Sequence, residues 1–377
     1  MIKVLHLPSW FPKKEQPFLG NFVVRHIESV APLTHSTVLN VFFDEDFEYH
    51  KIIETQEKEI NYLTLNLKRF QTKFSIFNKI FNKIRFNIGF NKLYKYYKKQ
   101  NGKPDIIHLH VALPLGIIAR NWSKKDKIPL VLTEHWTIYH RKFSGHILHQ
   151  LRKIYAQTNL VLPVSQHLQK AIEQWKLHQK FEVIPNVIDT SIFKTVAKPE
   201  SNIKSILHVS TLDDHQKNIS GIINVIDKLS KIRQDFVLNI VHESKSQALE
   251  DLVSQKNLSE YIRFLGSKTQ PEIAELMQNS SFFLLFSNYE NLPCVLLESL
   301  ACGLPVLSSD VGGISEIISS EYGILVPAQD EERLLEELIR MLDHFSEFDK
   351  IKMAEYVHNN FSYQIIGQKT LTIYEKI

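Results

Sequence analysis

Cysteine is scarce in this sequence, and long apolar runs are missing. The only two cysteines are Cys294 and Cys302, and their spacing on one predicted helix suits neither a CxxC metal site nor a disulfide framework. The sequence has no run of about 18 apolar residues, the length that is needed to span a bilayer. The apolar start at residues 1–7 is too short for a signal peptide. We therefore expect a cytoplasmic protein whose cysteines behave as small buried hydrophobic residues.

Strand-like runs alternate with helical patterns along the chain. With 377 residues and a hydrophobic content of 44%, the sequence can bury a large core and should form about two domains. The runs are short, apolar and rich in β-branched residues, as is typical of parallel strands that helices cover on both faces. They lie at residues 2–7, 38–43, 106–109, 130–132, 160–164, 181–184, 206–209, 236–241, 262–265, 282–286 and 305–308.

This pattern predicts an α/β chain with two Rossmann-like, doubly wound parallel sheets. We place the domains at residues 1–187 and 188–357, because proline and lysine interrupt the apolar pattern near 184–189 and 194–204. No repeat of solenoid period is evident. In open α/β sheets ligands collect beyond the carboxyl ends of the strands, so two facing sheets would hold a substrate between them.

The segment after the predicted strand 282–286 carries the strongest chemical signal. Asn291 is suited to cap a helix of about three turns that has Pro293 near its start and ends at Gly303. The free N–H groups at such a helix start favour a phosphate. Glu290 and Glu298 flank these groups, and carboxylates accept hydrogen bonds from vicinal hydroxyls. One glutamate would hold a sugar and the other a ribose.

The order of these residues resembles a known family. Glu290, seven residues, Glu298 and the run Ala-Cys-Gly-Leu-Pro-Val are followed by Asp310-Val-Gly-Gly-Ile-Ser-Glu316. This stretch closely resembles the GT-4 family of retaining glycosyltransferases with the GT-B fold. The resemblance implies two Rossmann-like domains that face each other across a cleft, with a terminal helix at 358–377 completing the first. It also implies hexosyl transfer from a nucleotide sugar, with UDP-sugars favoured.

The resemblance assigns roles in the first half of the chain. Gly20 matches a loop that approaches the donor phosphates, where a glycine lets the backbone come close to a ligand; an ordinary turn is the equal alternative. His135 matches a histidine near the reacting anomeric centre, and the alternative is a polar residue satisfied at a strand end. That alternative is favoured for His108 and His110, because a histidine is often simply hydrogen-bonded.

In the second half, the resemblance implies that donor-binding residues are spread over three loops. Lys217 matches a lysine that neutralises the pyrophosphate, and Arg263 belongs to a strand end against which the nucleobase packs. The chain departs from the family at Thr211, which stands where an arginine is usual, and at residues 242–244, which replace a glycine-rich turn. The expected donor-binding set is Gly20, Lys217, Arg263, Glu290, Asn291, Leu292, Pro293 and Glu298, with His135, Glu290 and Lys217 as catalytic residues.

We expect neither a metal nor another cofactor. No Asp-x-Asp motif stands at a strand end, and the acidic runs at 44–46 and 213–214 suit solvated loops. Bond cleavage leaves positive charge on the sugar and negative charge on the diphosphate, and stabilising that separation is the main catalytic task. Lys217 and the helix start after Asn291 would perform it, with same-face attack by the acceptor as the implied mechanism.

Residues 67–103 lack acidic side chains altogether. The segment contains eleven lysines and arginines, and its Phe and Ile residues from 70 to 88 recur at helical spacing. A basic helix with an aromatic face suits anionic lipid headgroups, which predicts peripheral attachment to the inner face of a membrane. Packing of the stripe against the first domain is the alternative. Nucleic-acid binding is not expected, because no reading motif accompanies the charge.

The remaining expectations concern the partners. The acceptor should be a glycan or a lipid-linked sugar, and the richness in Lys, Asn, Ile and Phe suggests an AT-rich bacterial genome in which surface-polysaccharide synthesis is a plausible role. A phosphorylase or epimerase could share the fold. A non-catalytic subunit that binds a nucleotide sugar is a further alternative, favoured by Thr211.

Overall fold

The computed structural model describes residues 1–13, 16, 19–43, 51–197, 203–244 and 246–377. These residues cluster into two compact units. Unit 1 comprises Met1–Val164, Leu168–Val187 and Tyr363–Ile377, and unit 2 comprises Ser165–His167 and Ile188–Ser362. The acidic run predicted to be a solvated loop at 44–46 lies outside the described residues.

Each unit contains one sheet. Unit 1 has seven strands in the order β3-β4-β2-β1-β5-β6-β7, all parallel except for the antiparallel pair β3–β4; unit 2 has six parallel strands in the order β10-β9-β8-β11-β12-β13. The strands are β1 (Lys3–Pro8), β2 (His35–Phe43), β3 (Ile52–Glu57), β4 (Ile60–Leu67), β5 (Ile106–His110), β6 (Leu130–Glu134), β7 (Leu160–Pro163), β8 (Lys204–Val209), β9 (Phe236–Val241), β10 (Ile262–Gly266), β11 (Phe282–Leu285), β12 (Val306–Ser309) and β13 (Gly323–Val326).

Helices connect the parallel strands, as crossovers between such strands require. They are α1 (Asn21–Val30), α2 (Ser75–Asn101), α3 (Gly116–Asp126), α4 (Gly145–Tyr155), α5 (Gln166–Gln174), α6 (Asp214–Lys217), α7 (Ile219–Ser230), α8 (Gln247–Gln255), α9 (Gln270–Asn279), α10 (Cys294–Ala301), α11 (Glu331–His344), α12 (Lys350–Phe361) and α13 (Tyr363–Glu375). Four short 3₁₀ turns lie at Ala31–Leu33, Thr137–His140, Ile314–Glu316 and Phe345–Glu347. No helix among the described residues combines the length and apolar character needed to cross a bilayer.

The terminal helix belongs to unit 1. Ile366, Ile373 and Tyr374 on α13 pack in the same buried cluster as Val4 and Val131 of the sheet. The backbone of α13 comes so close to α1 that a Cβ added at Gly367 would lie 1.9 Å from the carbonyl oxygen of Ser29. The predicted start of this helix at 358 is wrong, because residues 358–361 finish α12 and α13 begins at Tyr363.

One predicted strand differs in the structure, and three strands, β3, β4 and β13, were not predicted. Residues 181–184 run beside β7 and donate backbone hydrogen bonds to it, but they form one isolated bridge rather than a strand. The hairpin β3–β4 was not predicted. Its turn residues Lys58 and Glu59 both adopt a positive φ (46° and 63°). Asn or Gly usually occupies such positions, so the sequence did not indicate a turn. The short edge strand β13 was also missed.

Candidate functional site

The loops after β8, β11 and β12 lie at the same edge of the unit 2 sheet, because these strands are parallel neighbours. The loop after β11 is tied to both of its neighbours. The backbone N–H of Asn288 donates to the carbonyl of Gln216 at 2.7 Å, and Ser309 Oγ donates to the carbonyl of Ser287 at 2.7 Å. These bonds fix the backbone that carries Glu290.

Glu290 and Lys217 form a buried ion pair in this loop cluster. Lys217 Nζ lies 2.5 Å from Glu290 Oε1, and the two side chains are 14% and 7% exposed. Ser287 Oγ donates to the same carboxylate oxygen at 2.9 Å, while Gln216 Nε2 reaches the other oxygen at 3.5 Å. The structure therefore brings together two of the three predicted catalytic residues, and it adds Ser287 and Gln216 as their partners.

Two glycines after β12 allow the backbone to pack directly on the Glu290 loop. A Cβ added at Gly312, whose φ is +64°, would lie 2.0 Å from the carbonyl oxygen of Glu290. A Cβ added at Gly313 would lie 2.7 Å from that of Asn291, which instead accepts a hydrogen bond from the Gly313 N–H. The Val-Gly-Gly sequence is thus needed for this close approach of two loops.

The helix that follows is shorter than predicted. α10 has eight residues and begins at Cys294, with Pro293 as its N-cap, so the prediction that Asn291 caps a helix of three turns is wrong. Asn291 is engaged through its carbonyl by the Gly313 loop. Asn291 and Leu292 are buried, and so is Glu298 within α10. The helix start still presents backbone N–H groups beside the Lys217–Glu290 pair.

A pocket of about 380 Å³ lies between α8 and β10 and reaches His242 and Gly266 at the carboxyl ends of β9 and β10. The rings of His242 and Phe264 meet edge to face there, with 5.7 Å between their centroids. Arg263 precedes Phe264 on the strand and is exposed, and it does not line the pocket because successive strand residues point to opposite faces. Burial raises the pKa of the neighbouring Glu243 carboxyl.

The loop after β8 carries Thr211, which stands where the family resemblance predicts an arginine. Thr211 is exposed, and its carbonyl accepts a hydrogen bond from Ser210 Oγ at 2.7 Å. Behind it, His208 is buried between Ser210 Oγ and the carbonyl of Leu284, and burial lowers its pKa to about 4. Among these groups, Lys217 supplies the positive charge.

In unit 1, a buried carboxylate organises the loop that carries His135. Glu134 is fully buried and accepts four hydrogen bonds, from the backbone N–H groups of Ala112, His135 and Trp136 and from the Tyr139 hydroxyl, at 2.8 to 3.1 Å. Burial raises its pKa, although all four donors oppose that shift. Sequence reasoning passed over Glu134; the signal was a charged residue that ends an otherwise apolar strand.

The loop after β5 is held equally firmly. Val111 has a φ of +66°, which is costly for a β-branched residue. Its N–H donates to the carbonyl of Thr133 at 2.8 Å, and its own carbonyl accepts a hydrogen bond from Ser9 Oγ at 2.7 Å. The loops after β1, β5 and β6 are thereby joined through Ser9 and Glu134.

His135 lies at the end of β6 as a neutral group. Burial, and then the nearby ring of His26, lower its pKa well below the usual range. Its ring packs 4.5 Å from that of Phe22 and 5.2 Å from that of His26. Gly20 is the N-cap of α1, the helix that carries these two side chains. Its φ is +78°, and a Cβ added there would lie 2.5 Å from the Trp10 carbonyl oxygen, so no other residue fits at this position.

His6, His108 and His110 form a buried group whose ring nitrogens lie within 4.8 Å of one another, a spacing that could suit a metal. Both nitrogens of His108 are engaged, however, by the hydroxyls of Tyr374 and Thr133 at 2.6 and 2.7 Å. The rings of His108 and His110 also stack, with centroids 4.1 Å apart. The geometry therefore favours a neutral, hydrogen-bonded histidine stack over a ligand set.

Comparison with known proteins agrees with this architecture. A family model for Glycosyl transferases group 1 matches residues 189–359, and one for Glycosyltransferase Family 4 matches residues 50–192. N-acetyl-alpha-D-glucosaminyl L-malate synthase of Bacillus anthracis is 28% identical over 289 residues, 72% of this chain and 74% of its own length.

Two further comparisons extend this result. The putative teichuronic acid biosynthesis glycosyltransferase TuaC of Bacillus subtilis is 26% identical over 257 residues, covering 65% of this chain and 63% of its own. The structure of Anabaena Alr3699/HepE in complex with UDP and glucose matches with a TM-score of 0.75 at 17% identity and covers 100% of both chains. At this identity the structural match establishes the fold alone.

Proposed function

Because the chain belongs to the family 4 glycosyltransferases and has the GT-B fold, we propose that it transfers a hexosyl group from a nucleotide sugar with retention of anomeric configuration. The observation that carries this proposal is the buried Lys217–Glu290 pair beside the start of α10. It combines a cation for a diphosphate, a carboxylate for sugar hydroxyls and the backbone N–H groups of a helix start in one loop cluster.

Each residue has a distinct role in this proposal. As the bond between the anomeric carbon and the diphosphate breaks, Lys217 and the N–H groups at the start of α10 stabilise the leaving negative charge. Glu290 holds the hydroxyls of the donor sugar, and Glu298 holds the ribose. His135, which is neutral because it is buried, can hydrogen-bond to the sugar without placing a second positive charge beside the developing one.

The donor and acceptor follow from the relatives. A UDP-sugar is favoured because the structure of Anabaena Alr3699/HepE, which this chain matches over its full length, is a complex with UDP and glucose. The pocket beside His242 and Phe264 offers an aromatic wall for the base. A glycan or lipid-linked acceptor in surface-polysaccharide assembly is supported by the similarity to a putative teichuronic acid biosynthesis enzyme. We place this reaction in the cytoplasm and expect it to need no metal.

Thermal unfolding against UDP, GDP, ADP, CDP and their sugar conjugates tests the donor site. A ligand at a hundred times its dissociation constant stabilises the fold by about 2.7 kcal/mol, so one nucleotide series should raise the midpoint of the wild type. Glu298→Ala should lose most of that shift relative to its own ligand-free midpoint. The matched control Glu260→Ala, at an exposed position of the same unit, should keep it.

The same assay tests metal independence, because the shift should be equal in EDTA and in magnesium. If no nucleotide stabilises the wild type under either condition, the donor-site assignment is wrong. Stabilisation without sugar release or transfer would favour the second candidate, a non-catalytic subunit that binds nucleotide sugars. The uncharged Thr211 at the usual arginine position supports that candidate.

A further inference from the structure

Helix α2 exposes a concentrated apolar surface. Thirteen large hydrophobic residues of the described chain are exposed, and seven of them lie within 15 residues at the start of this helix. Their exposed fractions run from 46% to 71%. We call this set the apolar ridge; it consists of Phe74, Ile76, Phe77, Ile80, Phe81, Ile84 and Ile88.

The ridge is not a core face that happens to be partly open. The second half of α2 buries Phe90, Leu93 and Tyr97, and the helix packs against β2 and β4. At Gly89 an added Cβ would lie 3.2 to 3.3 Å from the side chains of Val41 and Leu65. At about 100° per residue, the ridge occupies an arc of roughly 140° on the opposite side of the helix. One face is therefore fixed to the sheet while the other is free.

The chain that leads into α2 is held against the ridge. Asn78 accepts hydrogen bonds from the N–H and hydroxyl of Thr72 and donates to its carbonyl, at 2.7 to 2.8 Å. Asn82 bonds in the same way to both backbone groups of Phe70, whose ring lies 5.0 Å from that of Phe81. Four hydrogen bonds between asparagine side chains and the backbone therefore fix the segment that leads into α2 beside the ridge.

The charge around the ridge has one sign. Residues 67–103 contain eleven lysines and arginines and neither aspartate nor glutamate. Lys95 and Lys99 continue the ridge face toward the end of the helix, since they follow Ile84 and Ile88 at the same helical spacing. Lys98 pairs with Asp126 at 2.7 Å, while Lys95 and Lys99 are exposed. The free face therefore presents apolar side chains bordered by solvated positive charge.

We propose that this face of α2 binds the surface of an anionic phospholipid bilayer, with the apolar ridge inserted among the acyl chains and the basic residues at the headgroups. An amphipathic helix with lysines beside aromatic and aliphatic residues has the chemistry for that position. A second copy of the chain is a less suitable occupant, because eleven positive charges would be brought against eleven others. The inference goes beyond glycosyl transfer and does not depend on it.

Sedimentation with lipid vesicles tests the proposal. Vesicles of phosphatidylcholine containing about 30 mol% phosphatidylglycerol are expected to retain the full chain at low salt. Pure phosphatidylcholine vesicles should retain at least ~10-fold less, because they lack the negative surface charge that attracts the basic residues. Raising the salt to about 0.5 M should reduce retention, because screening weakens the attraction. No sugar or nucleotide is present, so failure of the proposed transferase activity would not affect the result.

Two sets of variants identify the surface. Ile76→Ser/Ile80→Ser/Ile84→Ser should lower retention at least ~10-fold by removing three inserted side chains, while thermal stability changes little because these side chains are 48% to 71% exposed. The matched control, Ile232→Ser/Ile351→Ser, removes exposed isoleucines of unit 2 and should retain wild-type binding.

The charge is tested separately. Lys95→Gln/Lys99→Gln should weaken retention by about fivefold per lysine, and Lys124→Gln/Lys125→Gln, which removes exposed charges from α3, should have little effect. Equal retention by the ridge variant and the wild type overturns the proposal. So does ridge-dependent self-association in sedimentation velocity without lipid, which would make the surface an interface between copies.

Discussion

At the scale of single residues, the ion pair of Lys217 and Glu290 keeps two opposite charges from lying unpaired in a buried loop. A buried charge without a partner is costly, and loss of one partner from such a pair typically destabilises a protein by several kcal/mol. In the proposed function, each member also has a second role. The ammonium can attract a phosphate, and the carboxylate, already oriented by Ser287, can accept hydrogen bonds from a sugar.

We predict that single substitutions separate these two functions. Glu290→Gln should weaken binding of a UDP-sugar about 10- to 100-fold but leave UDP affinity within about threefold, because charge-assisted hydrogen bonds to the sugar are lost. Lys217→Gln should weaken UDP and the UDP-sugar alike. Isothermal titration with both ligands measures the two ratios.

Controls for this prediction come from the same unit. Lys268→Gln removes a lysine whose partner, Glu272, lies 3.8 Å away at an exposed site, and it should leave both affinities unchanged. Equal losses of UDP and UDP-sugar binding in Glu290→Gln would assign Glu290 to the diphosphate, or to loop structure alone. The double variant adds a check, since residues in contact are expected to be non-additive.

At the scale of elements, the strands were largely predictable because parallel strands covered on both faces are short apolar runs. The hairpin β3–β4 was not predictable, because Lys58 and Glu59 adopt a positive-φ turn conformation that lysine and glutamate rarely adopt. The start of α10 was misplaced because the Asn291 carbonyl is bound by Gly313, a contact between loops far apart in sequence. Local patterns contain no information about such contacts.

The same limit explains why part of the site was missed. The family resemblance pointed to Lys217 and Glu290 as candidates. It did not reveal that Ser287 and Gln216 donate hydrogen bonds to the Glu290 carboxylate. Glu134 was overlooked because its four donors come from two loops and a 3₁₀ turn. Its position only makes sense once β5 and β6 are adjacent.

Glu134 should therefore control the geometry of elements rather than a single contact. Glu134→Gln replaces one acceptor oxygen by an NH₂ group that faces N–H and O–H donors, which should destabilise unit 1 by about 1–3 kcal/mol. We expect kcat to fall by a larger factor than the factor by which KM for the donor changes. The substitution should displace the His135 loop, whereas the unit 2 loops that we assign to donor binding should stay in place. Urea unfolding and steady-state kinetics measure both effects.

A second variant separates positioning from general destabilisation. Tyr139→Phe removes one of the four donors to Glu134 and the acceptor of the Tyr155 hydroxyl, but it keeps the three backbone bonds to Glu134, so it should cost about 1–3 kcal/mol and preserve kcat. If Tyr139→Phe and Glu134→Gln lower kcat equally, Glu134 has no special role in placing His135.

At the scale of the whole molecule, buried histidines are distributed unevenly. Among the described residues, unit 1 contains five fully buried histidines whose pKa is lowered by burial: His6 to about 3, His26 to about 4, and His108, His110 and His135 to well below the usual range. Burial also lowers the pKa of the half-buried His178. In unit 2, His208 is the fully buried histidine with a lowered pKa, among the described residues. Glu134, whose pKa is raised, acts in the opposite direction but is a single group.

This distribution predicts that acid destabilises unit 1 first. Below pH 6.5 the unfolded chain protonates histidines that the folded chain keeps neutral, so the free energy of unfolding falls by about 1.4 kcal/mol per pH unit per histidine until the folded pKa is reached. All four tryptophans, Trp10, Trp122, Trp136 and Trp175, lie in unit 1. Tryptophan fluorescence in urea therefore reports on that unit alone, while far-UV circular dichroism reports on both.

Between pH 7.5 and 5 the fluorescence midpoint should move to lower urea further than the circular dichroism midpoint does, and the two curves should separate. His149→Gln, at an exposed position, is the matched control and should leave the pH dependence unchanged. A pH-independent fluorescence midpoint over this range would mean that the buried histidines of unit 1 accept protons without unfolding. The stack of His6, His108 and His110 would then have to open to water while the sheet around it stays intact.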